Sequence, residues 1–120
     1  MEITMARGDL EVRTFQIRSP SGSGTVPYTE ELDEIYFTVK KNYNDRNFCF
    51  QKRQSDGGII YTGDGNYQFT IQPADTDGMA FGAYVFDIEL VKNGEIKKTY
   101  RGNLMLEPEA THACNEGGGT

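Results

Sequence analysis

Asp64, Asp75 and Asp77 are the residues of this chain best suited to hard-cation chemistry, because turn carboxylates supply the oxygen ligands that Ca²⁺ takes. They lack the tight alternation of a calcium loop, so turn formation and capping account for them more economically. The only histidine, His112, sits in a small, polar C-terminal stretch, away from a nucleophile placed to use it. Cys49 and Cys114 are not spaced as a metal knuckle, and a disulfide between them is disfavoured for a chain made in the cytoplasm. Arg7-Gly8-Asp9 spells an adhesion tripeptide, yet its place beside a strand start gives it a turn-forming task. Eighteen acidic residues permit a glycosidase-like carboxylate pair, but nothing singles one out. The expectation is a protein that is not an enzyme, with no catalytic residue, no metal and no cofactor. What remains is contact chemistry. Tyr36, Tyr43 and Tyr61 fall outside the core pattern, where phenol rings stack on sugars or enter protein interfaces.

The 120 residues suffice for one core, and a chain of this size buries roughly two-thirds of its unfolded surface. A net charge of −6 excludes a phosphate backbone as a natural partner, since nucleic-acid affinity depends on clustered Lys and Arg. The one basic group, Lys97, Lys98 and Arg101, is placed on the solvated side of a final strand. No apolar run approaches the roughly 20 residues that a membrane helix needs, and the N-terminus lacks the pattern of a signal peptide. Neither nucleic acid nor membrane is therefore an expected partner.

Fourteen glycines and an aromatic share of 12% point to strands joined by tight turns. Ile35, Phe37 and Val39 alternate with Tyr36, Thr38 and Lys40; Tyr67, Phe69 and Ile71 alternate with Gln68 and Thr70. Tyr84, Phe86, Ile88 and Leu90 alternate with Val85, Asp87 and Glu89. A period of two is the mark of a half-buried strand. Phe48 to Arg53 is read as a returning strand with Phe48 and Phe50 on one side. Asn93-Gly94 predicts a two-residue hairpin of type I′. Gly102 marks a bulge or bend in the strand from Ile96 to Leu106. Ser19 to Gly24 is read as a loop. Residues 1–107 are expected to form one β-sandwich domain and 108–120 a flexible tail.

Short strands with turn clusters about every ten residues, and at most one short helical turn near residues 73–78, indicate an all-β, antiparallel sandwich of about seven strands. Tyr84 follows the Asp75-Thr76-Asp77-Gly78 corner and precedes Phe86 by two positions. In immunoglobulin-like sandwiches a tyrosine at this point reaches back by its hydroxyl to backbone ahead of its strand. Tyr84 and Phe86 are thus the expected structural corner, with Phe86 as the apolar substitute for a disulfide cysteine.

Three segments, Arg7-Gly8-Asp9 through Ile17, Ile35 through Lys41, and Pro73 through Leu90, together resemble the small immunoglobulin-like domains of tailed-phage structural proteins. They resemble in particular the N-terminal domain of baseplate upper proteins and related prophage-encoded tail modules. Arg101-Gly102-Asn103-Leu104 is similar to that family's closing strand. The Tyr28–Asp33 and Tyr43–Asp56 regions depart from its pattern. The resemblance implies a virion structural or adaptor module of the tail or baseplate, with other tail proteins or copies of itself as partners. The alternative is a small carbohydrate-binding sandwich that stacks sugars on exposed tyrosines.

Overall fold

Ten strands and one helical turn form among residues 1–108, which the computed structural model describes: β1 (Glu2–Ala6), β2 (Glu11–Gln16), β3 (Arg18–Ser21), β4 (Gly24–Pro27), β5 (Glu34–Lys40), β6 (Phe50–Arg53), β7 (Ile59–Gly63), β8 (Asn66–Ile71), α1 (Pro73–Thr76), β9 (Gly82–Lys92) and β10 (Glu95–Glu107). The tail expected from residue 108, with His112 and Cys114, lies outside the described residues apart from Pro108. The larger sheet runs β1-β10-β9-β5-β6, the smaller β2-β8-β7, and β3 pairs with β4 as a separate hairpin. Among the described residues only β1 and β10 pair in parallel; the other pairs are antiparallel.

The all-β expectation holds, and the short helical turn falls where Pro73 begins it. The strands are more numerous than the expected seven or so, because short elements form in stretches whose composition predicts loops. The Ser19–Gly24 stretch is one of these: Arg18 Nε donates to Thr25 Oγ1 at 2.7 Å and Arg18 Nη2 to the Thr25 carbonyl at 2.9 Å. Side-chain hydrogen bonds order this hairpin where burial cannot.

Alternation delivers the core. Ile35, Phe37 and Val39 are completely buried, as are Ile71 and Leu104. Phe37 of the larger sheet stacks on Phe69 of the smaller with centroids 4.2 Å apart, and it meets Phe86 at 5.1 Å and Phe50 at 6.2 Å. One ring thereby links the two sheets, and full burial of a Phe contributes roughly 1.5–3 kcal/mol. Phe48 does not share this environment. Strand β6 begins two residues later than expected, and Phe48 stays 49% exposed while Phe50 enters the core.

Asn93 (φ 55) and Gly94 (φ 77) make the hairpin turn between β9 and β10 as predicted. The bulge assigned to Gly102 lies elsewhere, between Ile96 and Lys98. Gly102 sits in regular register opposite Phe86, and a Cβ there would lie 2.5 Å from Phe86 Cζ and would also strike the Met1 carbonyl. The glycine makes room for a ring.

Candidate functional site

The Arg7-Gly8-Asp9 turn is held from within. Gly8 N donates to Thr76 Oγ1 at 2.9 Å, and Thr76 is wholly buried. The Arg7 guanidinium lies 4.2 Å over the Phe81 ring and donates to the Met79 carbonyl. The triplet fastens β1 to the corner ahead of β9. Asp75 is similarly occupied: its Oδ2 accepts from Gln72 N at 2.7 Å and pairs with Lys52 Nζ at 2.6 Å. Asp64 occupies the turn between β7 and β8, at φ 54, and Asp77 caps α1. Among the described residues no three His, Cys, Asp or Glu side chains gather as a metal site.

At the corner, Tyr84 is buried and its hydroxyl donates to the Ala80 carbonyl at 2.7 Å. Phe86, two residues on, packs against Phe37. Lys41 adds a second tie, with Nζ 4.6 Å above the Tyr84 ring and donating to the Ala83 carbonyl.

The three tyrosines singled out from sequence do not converge. Tyr36, on β5, is half-buried opposite Glu89 of β9 and Arg53 of β6, whose guanidinium lies 5.5 Å from its ring centre. Tyr43, in the β5–β6 connection, donates its hydroxyl to the Gly102 carbonyl at 3.1 Å and the Phe86 carbonyl at 3.3 Å. Arg101 covers the Tyr43 ring at 4.8 Å. This phenol clamps the connection onto β9 and β10, so it is no free platform. Tyr61 belongs to the other sheet.

Tyr61 is 43% exposed, and its ring lies 5.0 Å from that of Tyr67 on β8. Its hydroxyl accepts a hydrogen bond from Gly65 N at 3.2 Å. Gly65 is wedged close to the backbone of Ile17 and Tyr28, where a Cβ would come within 2.8 Å of the Ile17 carbonyl. Beside this hairpin a cavity of about 270 Å³ opens, lined by Glu30, Glu31, Leu32, Gln54, Tyr61 and Tyr67. Tyr67 is only 2% exposed, yet its hydroxyl makes no hydrogen bond among the described residues. Burial pushes its phenol upward from the ordinary tyrosine pKa, with Tyr61, Tyr28 and Glu31 adding to the shift. Sequence reasoning missed Tyr67 because its phase in β8 marks it only as core.

A second feature lies along β10. Strand β1 pairs with it only from Asn103 to Glu107, so the Glu95–Gly102 edge has no strand beside it among the described residues. Tyr100, 37% exposed, separates two hollows on this side, of about 300 and 250 Å³. Phe15, Phe86 and Ile88 line the first; Ile17, Tyr28 and Leu90 line the second. Exposed Lys98 and Arg101 flank them. An edge with open N–H and C=O groups and side-chain hollows beside it can accept another strand.

No protein-family model matches the chain, and no curated protein matches it either.

Proposed function

We propose that the protein is an immunoglobulin-like structural module of a tailed phage or prophage particle, a tail or baseplate component that works by protein contact and not by catalysis. The connectivity carries this reading. Placing β5, β9 and β10 as strands C, F and G of that fold puts β6 at C′, and the smaller sheet then reads B, E, D as β2, β8, β7. The Tyr84 bond to Ala80 then falls at the E–F corner, where such domains carry their tyrosine. Phe37 occupies the place of the buried strand-C aromatic. The segments from Arg7, Ile35 and Pro73 that resemble baseplate domains add the biological setting.

The contact surface in this reading is the open edge of β10, reinforced by the outer face of the larger sheet. A neighbouring tail protein adds a strand there and sets alternate side chains into the hollows on either side of Tyr100. Mass spectrometry of purified, induced particles tests the assignment: the protein is recovered in stoichiometric amount, and its absence from particles overturns the reading. Thr99→Pro tests the edge. Asn103 N bonds to Met1 O, so alternation turns the Thr99 N–H toward the open side, where a proline is tolerated by the fold. The variant is expected to fold normally and fail to enter particles.

A further inference from the structure

We propose that the cavity between the Thr29–Leu32 segment and the β7–β8 hairpin is a saccharide site, which takes one hydroxylated ring against Tyr61 and offers Tyr67, Gln54, Glu30 and Glu31 to its hydroxyls. It stands apart from the assembly reading, since its two tyrosines come from the smaller sheet and it uses none of the β10 edge.

Tyr67 carries the argument. A phenylalanine would fill the same core position without burying a polar group, as Phe69 does two residues later on the same strand. Native interiors pair nearly all of their buried polar atoms, and an exception calls for a partner from outside. Tyr67 is among the residues that line the opening, and in this proposal its hydroxyl sits at the floor of the cavity, where a hydroxyl of the ligand meets it. Tyr61 and Glu31, two of the groups that act on its phenol, line the same cavity.

The remaining lining matches a sugar's two kinds of surface. Leu32 is buried at the cavity wall and Tyr61 exposes much of its ring, together giving an apolar side for the C–H face of a pyranose. Glu30 and Glu31 are acceptors for vicinal hydroxyls, and the Gln54 carboxamide both donates and accepts. The volume lies just below the roughly 300–1,000 Å³ range of drug-sized pockets, which suits a single ring. Lys92 steadies this wall: its Nζ donates to the Glu31 carbonyl at 2.6 Å and stands 3.8 Å from Glu30 Oε1. A quaternary ammonium group offers nothing for the Tyr67 hydroxyl to bond, and choline can answer it only through its single hydroxyl, whereas a saccharide presents several.

The experiment is a glycan-array screen of the whole chain, followed by NMR titration with glucose, mannose, galactose, N-acetylglucosamine and the best array hit. Choline serves as the cationic probe. The expected result is saturable saccharide binding with shifts at Tyr61, Gln54 and Tyr67, and no response to choline. Tyr67→Phe is expected to melt at the same temperature as the parent or higher, and to weaken binding about tenfold, the loss of one good hydrogen bond. Tyr61→Ala weakens it at least as much. Silence across the array and the titrations overturns the proposal, as does a response to choline alone. Undiminished binding by a folded Tyr67→Phe overturns it equally.

Discussion

Tyr84 and Tyr67 are buried to nearly the same degree, at 5% and 2% exposure, one in each main sheet, yet their hydroxyls fare differently. Tyr84 donates to Ala80 across the corner ahead of its own strand, and this bond joins two parts of the frame. Tyr67 makes no such bond among the described residues and borders an opening. A satisfied buried phenol stabilises, whereas an unsatisfied one costs about 1–3 kcal/mol relative to a well-paired group. The larger sheet thus satisfies its buried phenol, and the smaller keeps one available.

The strongest way to break this contrast is to remove what the two sheets share. Phe37→Ala deletes the ring that stacks on Phe69 and touches Phe86 and Phe50, at an expected cost of about 3–5 kcal/mol in urea unfolding. If the sheets were independently stable, two transitions would appear in place of one. Gly102→Ala strains the larger sheet alone. Its new Cβ would press on the Phe86 ring and the Met1 carbonyl, with an expected cost of about 1–3 kcal/mol.

The phenols themselves are tested as a pair. Tyr84→Phe is expected to cost about 1 kcal/mol through the lost bond to Ala80. Tyr67→Phe is expected to be neutral or stabilising, because it removes a buried hydroxyl that nothing in the described fold satisfies. Equal losses in the two variants, measured by thermal and urea melts, would abolish the distinction.

Much of the frame is legible in the sequence, for reasons that differ by element. Period-two alternation at Ile35–Val39, Tyr67–Ile71 and Tyr84–Leu90 marks the inward faces, because burial acts on each side chain separately. Asn93-Gly94 shows its turn because φ > 0 narrows the choice of residues. The β3–β4 hairpin was hidden because it depends on Arg18 reaching Thr25, a pairing that local composition does not announce. Gly102 looked like a bulge because its reason is a ring from the neighbouring strand. The cavity beside Tyr61 was equally invisible: Glu30, Glu31, Gln54 and Tyr67 come from separate segments, and only pairing brings them together. Tyr43, whose phase predicts an outward platform, is a clamp because its loop folds back over β9 and β10.

Within the larger sheet, two carboxylates sharpen the comparison at a finer scale. Asp87 lies between Thr38 of β5 and Arg101 of β10, and desolvation raises its pKa against the pull of Lys40 and Arg101. The folded chain therefore holds this proton more tightly than the unfolded chain, whose Asp titrates near about 3.9. Where the folded state binds more protons, stability falls as pH rises. The Asp87 contribution should decline from the unfolded pKa up through the raised one. Glu34 behaves oppositely: burial alone would raise its pKa, but hydrogen bonds from Ser55, Ile35 and Gln54 outweigh that and leave it lowered. Its stabilisation is present above the unfolded pKa and is lost as pH falls through the folded one. Urea melts across the acidic range check both signs. Asp87→Asn should gain on the parent as pH rises and Glu34→Gln should lose, and a shared slope would show that neither carboxylate feels the environment its sheet position gives it.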